Sequence, residues 1–205
     1  MTREAAVEDA VRRGRPRSEK SRQAILGAAR ELLLKQGLNS ISMDAVAERA
    51  GTSKATIYRW WPSKELLALD ALFREWEPAP PDRRDTGSLA GDLLALIRPW
   101  ARQLAGKPYG RVIAALVSKA QTDPQFAEEY RARFVEPRRD QARVIFVRAI
   151  ERGEIPADTD IEVALDLLYG PFYHRLLHGH AALTDSFARA VVVHVVAGLS
   201  RHGRQ

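Results

Sequence analysis

The stretch Ile41–Leu72, ISMDAVAERAGTSKATIYRWWPSKELLALDAL, decides how the rest of this 205-residue chain is read. Ser42 stands where a helix N-cap is wanted, ahead of Met43, Val46, Ala47 and Ala50, which fall on one apolar stripe. Gly51 follows at once, and glycine is the residue type that takes a left-handed turn without a Cβ clash. Thr52 or Ser53 then caps a third short helix that carries Ile57 and runs to about Trp60. Pro62 and Ser63 open a fourth helix, in which Leu66, Leu69, Leu72, Phe73 and Trp76 continue an apolar face. Upstream, Ile25, Ala28, Ala29, Leu32 and Leu33 mark a longer first helix that starts near Ser18 and stops at Gly37. Two short helices joined across Ala50-Gly51-Thr52 and held by a longer one predict a helix-turn-helix.

Outward from this core the chain reads as four segments. Residues 1–17 lack sustained periodicity and contain Gly14 and Pro16, so a flexible basic arm is expected. Residues 18–76 form the helix-turn-helix unit with its connecting helix. The segment 77–87 holds three prolines and Gly87 and reads as a linker. Residues 88–205 are expected to fold as a second helical domain, with helices near 88–105, 109–121, 124–152, 160–179 and 185–202. Asp123-Pro124, Asp160 and Thr184 stand at helix starts; Gly106, Gly153 and Gly179 stand near ends. Pro137 and Gly170-Pro171 fall inside helical patterns and predict kinks, because proline removes a backbone donor and crowds the preceding turn. No alternating pattern of useful length marks a strand. The expected fold class is all-α.

Composition removes several function classes. The chain has no cysteine, which excludes disulfides, thiol catalysis and thiolate zinc sites. No apolar run approaches the roughly 20 residues of a membrane span, and no signal-peptide core opens the sequence, so no membrane partner and a cytoplasmic location are expected. The net charge is +6. Residues 1–64 hold 13 basic and 7 acidic side chains, whereas residues 65–205 hold 19 of each. All the excess positive charge therefore lies beside the helix-turn-helix, the usual electrostatic footprint of a polyanion partner. Arg12, Arg13, Arg15, Arg17, Lys20 and Arg22 are opposed within that run only by Glu19.

In a helix-turn-helix the second helix enters the DNA major groove with its N-terminal residues at the base edges. Thr52, Ser53, Lys54 and Thr56 give this one a small, hydroxyl-rich leading turn, with Ile57 facing the core. The run from Ser21 to Phe73 resembles the DNA-binding domain of the tetracycline-repressor (TetR) family of transcriptional regulators. The resemblance rests on the Val46–Ser53 core, on Thr56, Ile57 and Tyr58, on an aromatic residue at Trp61, and on Ser63, Lys64 and Glu65. Trp60, where many relatives carry His, and Pro62, where Lys or a polar residue is common, depart from the pattern. The resemblance implies a homodimer paired through its last two helices and, in many members, release from DNA when a small molecule enters the C-terminal domain. The stretch LLYGPFYHRLLHG, Leu167–Gly179, is similar to one C-terminal subgroup of the family.

Candidate residues follow. Ser42, Thr52, Ser53, Lys54, Thr56, Tyr58, Arg59, Trp60 and Lys64 are expected at double-stranded operator DNA, with Arg15 and Arg17 reaching it from the arm, in the minor groove. Tyr58 has a hydroxyl suited to phosphate, and a cation such as Lys64 at a helix N-terminus calls for a nearby anion. Trp61 reads as a core wedge. Trp100, Phe126, Tyr130, Phe134, Tyr169 and Tyr173 are candidates for an effector cavity, although an aromatic stripe at helical spacing is more often plain core. Phe187, Ala190, Val191, Val192, Val195 and Val196 make the last helix apolar on much of its surface, and Val191, Val192 and Val195 are the expected dimer residues. His174, His178 and His180 have no Glu or Cys in a ligand pattern and read as surface or interface histidines; neither a metal nor a cofactor is expected. The alternatives are a helical enzyme or small-molecule-binding protein with an incidental basic N-terminus, and an architectural DNA binder without a ligand. An enzyme would need titratable side chains converging in a pocket, and the sequence displays no such set.

Overall fold

The computed structural model describes residues 3–73 and 85–201, with side chains for 19–73 and 85–200. Among the described residues the chain is all helix, without strands, and it divides into two compact units, Met1–Trp76 and Glu77–Gln205.

The first unit contains α1 (Arg3–Gln36), α2 (Met43–Ala50), α3 (Lys54–Tyr58) and α4 (Lys64–Phe73). Of the segment expected as a flexible arm, residues 3–17 belong instead to α1. The run Glu4-Ala5-Ala6-Val7-Glu8 is made largely of good helix formers, and it outweighs the breaking signal of Gly14 and Pro16. The short helices are held by local chemistry. Ser42 Oγ accepts the Ala45 N–H at 3.2 Å, Ser53 Oγ that of Thr56 at 3.2 Å, and Ser63 Oγ that of Leu66 at 3.2 Å. Gly51 has φ +63°, and its N–H and that of Thr52 close back on the Glu48 and Ala47 carbonyls at 3.2 and 3.0 Å. Ile25, Leu33, Val46, Ile57, Leu67 and Leu69 are fully buried and make the unit's core. Most of the expected linker, residues 77–84, and the expected end of the fourth helix at Trp76 lie outside the described residues.

The second unit contains α5 (Leu89–Ala105), α6 (Lys107–Thr122), α7 (Pro124–Tyr130), α8 (Glu136–Glu151), α9 (Ile161–His178) and α10 (Asp185–Arg201). The single helix expected over 124–152 is divided by a π-helical turn at Arg131–Val135, just ahead of Pro137. Proline cannot donate to the carbonyl four residues back, and the wider turn accommodates that missing bond. Pro171 lies within α9 without ending it, and Pro99 lies within α5. Asp123, Asp160 and Thr184 cap α7, α9 and α10 by accepting the N–H groups of Phe126, Val163 and Phe187. Interactions across the unit add to these caps. Leu89 N–H at the start of α5 donates to Glu154 at 2.7 Å, and Arg98 and Arg102 of α5 both bind Asp185 of α10. The Asp92 carboxylate is fully buried. It accepts from Thr86 N–H and O–H at 2.6 and 2.7 Å and from Arg152 at 3.2 Å. Burial alone would push Asp92 up; the Thr86 donors and Arg152 outweigh it and hold the acid below its ordinary value.

Candidate nucleic-acid interface and effector cavity

α3 is short, and buried side chains fix it and the turn after it. Ile57 is fully buried, and Trp61, 2% exposed, donates its indole N–H to Asp70 at 2.8 Å and so clamps the turn after α3 onto α4. That clamp turns the other side of α3 outward. Tyr58 and Trp60 are 51% and 40% exposed, large values for aromatic side chains on a folded unit, and Arg59 between them is exposed as well. Thr52 and Thr56 are half-buried; Ser53 and Lys54 are exposed. Ser53 Oγ and Thr56 Oγ1 lie 2.9 Å apart, so the leading turn already shares a hydrogen bond.

Both lysines among the expected DNA contacts have protein partners. Lys54 Nζ is 2.7 Å from Asp44 on α2, and the Asp44 hydrogen bond raises the lysine above its ordinary value. Lys64 Nζ donates to the Asn39 and Ile41 carbonyls at 3.3 and 3.4 Å. Those two carbonyls supply the negative partner that a cation at the start of α4 calls for, and they tie α4 to the loop before α2. Ser42 is exposed and occupied as the α2 cap. The side chains of Arg15 and Arg17 lie outside the described ones.

In the second unit a cavity of about 400 Å³ lies among α6, α7, α8 and α9, and Tyr130, Tyr169 and Tyr173 line it. Trp100, Phe126 and Phe134 are not among its lining residues and are buried in packing. Trp100 meets Tyr169 and Phe172 edge-on, with ring centroids 5.4 and 5.2 Å away, and therefore backs the wall. The residue that the sequence reading missed is Arg138, 4% exposed and part of the lining. Its guanidinium carbon stands 3.6 Å from the Phe134 ring centroid, and Nη1 donates to the Phe134 carbonyl at 2.9 Å. A signal for it existed. Phe126, Tyr130, Phe134 and Arg138 continue one four-residue step, so the aromatic stripe ends on a cation.

The expected dimer residues lie on α10. Val191, Val192 and Val195 are buried within their own unit, because α10 packs them against α5 and α9. The large exposed apolar side chains of the last two helices are Val163, Leu167 and Leu177 of α9 and Val193 of α10. His174 has its ring centroid 4.7 Å from that of His178 and 4.9 Å from that of His180. Among the described residues no group of three His, Asp or Glu side chains is placed to hold a metal, and no helix is long and apolar enough to cross a membrane.

A capped two-helix reading unit followed by a separate helical unit is the architecture of helix-turn-helix transcriptional regulators. Residues 25–71 match the family of bacterial regulatory proteins called tetR, and residues 83–195 match the tetracyclin repressor-like C-terminal domain. The HTH-type transcriptional regulator YdeS of Bacillus subtilis is 41% identical over 191 residues, covering 92% of this chain and 94% of its own. The DNA-binding transcriptional repressor TetR of Mycobacteroides abscessus is 32% identical over 196 residues, covering 94% and 98%. Among solved structures, the TetR family transcription regulator SCO0332 superposes with a TM-score of 0.73 at 38% identity, covering 87% of this chain and 98% of that one. This chain belongs to the tetR family of bacterial regulatory proteins.

Proposed function

We propose that the protein is a homodimeric, cytoplasmic repressor that holds a near-palindromic operator and leaves it when a small apolar or aromatic molecule occupies the C-terminal cavity. The observation that carries the reading is the outward face of α3, where Tyr58, Arg59 and Trp60 stand exposed beside the Ser53–Thr56 turn. The positive excess of residues 1–64 favours a phosphate backbone as the partner of that face. Tyr58, Arg59 and Trp60 have donors suited to phosphates, which fix register, whereas the side chains of Thr52, Lys54 and Thr56 suit base edges, which fix sequence. For Lys54 to reach a base it must leave Asp44, and an exposed pair of this kind is weak enough to exchange. The exposed Val163, Leu167, Leu177 and Val193 favour pairing of α9 and α10 with a second copy. The name of the Mycobacteroides relative supports repression as the sign of regulation.

Selection from randomised duplexes tests this. The expected product is an inverted repeat with half-sites about one helical turn apart or a little more, bound with an affinity that falls steeply with salt. A single asymmetric half-site would remove the dimeric reading, and binding indifferent to salt would favour a helical small-molecule-binding protein.

A further inference from the structure

Given that α3 enters the major groove, we infer that Asp44 and Lys54 together read one G·C pair in each half-site, Lys54 at the guanine and Asp44 at the cytosine. The two side chains come from different helices, Asp44 from the first turn of α2 and Lys54 from the first residue of α3. Lys54 Nζ lies 2.7 Å from Asp44 Oδ1, and the side chains are 47% and 73% exposed, so both groups are open to a partner from solvent. The Tyr58 phenol is close enough to act on the Lys54 charge, which puts the pair beside the aromatic residue assigned to the phosphate backbone. The hydroxyls of Ser53 and Thr56 already hold one another. A charged donor and a charged acceptor bond more strongly than such hydroxyls, so the ion pair is the better reader.

Lys54 cannot act as a cation alone. When it leaves Asp44 for a base, it strands a carboxylate in the negative field of the duplex, and that is costly unless a donor meets the acid. A G·C pair supplies the donor. In the major groove guanine presents the acceptors N7 and O6, and cytosine presents the N4–H₂ donor. O6 and N4 are hydrogen-bonded to each other across the pair and so stand about 2.9 Å apart, close to the 2.7 Å between Nζ and Oδ1. One ion pair is thus exchanged for two charge-assisted hydrogen bonds, from Nζ to the guanine and from the cytosine N4–H to the carboxylate. A reversed C·G pair would set donor against donor and acceptor against acceptor. A T·A pair keeps the order, with thymine O4 accepting and adenine N6 donating, but thymine offers a single acceptor beside its methyl group. The match therefore selects G·C.

Binding of the full chain, at fixed salt, to chemically altered duplexes of the operator returned by selection tests this. Replacing each cytosine of one half-site in turn by N4-methylcytosine removes the groove-facing N4–H and keeps the base pair. At one position this should weaken the unaltered protein about tenfold, within the range of one misread base pair, and reversing that pair should cost at least as much. Asp44→Ala should bind the methylated and unmethylated duplexes equally. Opposite that cytosine, 7-deazaguanine lacks N7 and should weaken the unaltered protein severalfold, with no effect on Lys54→Ala. The ratio between duplexes is the readout, because an acid that merely favours the start of α2 leaves it unmoved. If no cytosine is sensitive to methylation, or if the loss persists in Asp44→Ala, the paired reading is overturned and α3 is left as the reading helix. Binding without any sequence preference would overturn both.

Discussion

The two units are built from the same element and stabilised in different ways. In the first, each short helix has its end set by residues within a few positions of it: Ser42, Ser53 and Ser63 cap, and Gly51 turns. In the second, caps exist too, but the charged network ties distant points of the chain, such as Arg98 to Asp185 and Arg152 to Asp92. The difference follows from what each unit holds. A helix of five residues cannot be stable alone and needs its ends fixed locally, whereas the longer helices of the second unit are tied to one another by side chains far apart in sequence.

The largest effect is expected at the point where the first unit has least redundancy. Trp61→Ala removes a buried indole and its bond to Asp70, at a cost of about 3–5 kcal/mol, which is enough to unfold a unit of this size. The full-length variant should lose DNA binding and show two separated thermal transitions by calorimetry, the second still responding to cavity ligands. One transition lowered as a whole would mean that the units do not differ in the way described.

The complementary change acts on the second unit. Asp92→Asn keeps the acceptor for Thr86 and removes the buried charge that faces Arg152 and, at 3.9 Å, Arg148. Breaking such a network costs several kcal/mol when fully buried; with both arginines partly exposed, about 2 kcal/mol is expected. Urea unfolding of the second unit should shift by that amount while DNA binding by the first unit keeps its affinity.

The same contrast explains what the sequence disclosed. Ser42, Gly51 and Ser63 are legible because cap and turn chemistry acts over three or four residues, and sequence adjacency preserves it. Asp92 is not singled out by the sequence, since nothing adjacent announces that Arg152 will face it, and Arg138 is marked only by the four-residue aromatic step that it ends. Val191, Val192 and Val195 were legible as buried, but not as buried within their own unit, because apolar periodicity does not say which surface covers a face. The π-turn was half legible: Pro137 predicts a fault in the helix, and its form depends on the surrounding packing.

A smaller effect tests the local side. Gly51→Ala should destabilise the first unit by about 1–2 kcal/mol, from the left-handed backbone alone. A Cβ built there meets nothing within 4 Å, so crowding contributes nothing. Thermal unfolding of the first unit should report the loss, and an unchanged midpoint would show that the turn has another conformation available.

The smallest expected effect belongs to Asp185, the exposed end of the second unit's bracing. The Arg98 hydrogen bond, aided by its charge and by Arg102, holds the acid at about 2, below its ordinary value of 3.8. A carboxylate depressed in the folded state contributes stability that is fully present above its unfolded value, and the contribution is lost as pH falls towards the folded one. The window is therefore about pH 4 down to about 2. The pair is partly open to solvent, so salt screens it and the contribution is modest. Denaturant midpoints of the second unit in the unaltered protein and in Asp185→Asn should differ near neutral pH and converge as pH falls through that window, with the difference reduced by added salt. A difference that persists unchanged to pH 2.5 would mean that Asp185 acts through packing or hydrogen bonding alone. The bracing across the second unit would then owe less to charge than the contrast with the capped helices implies.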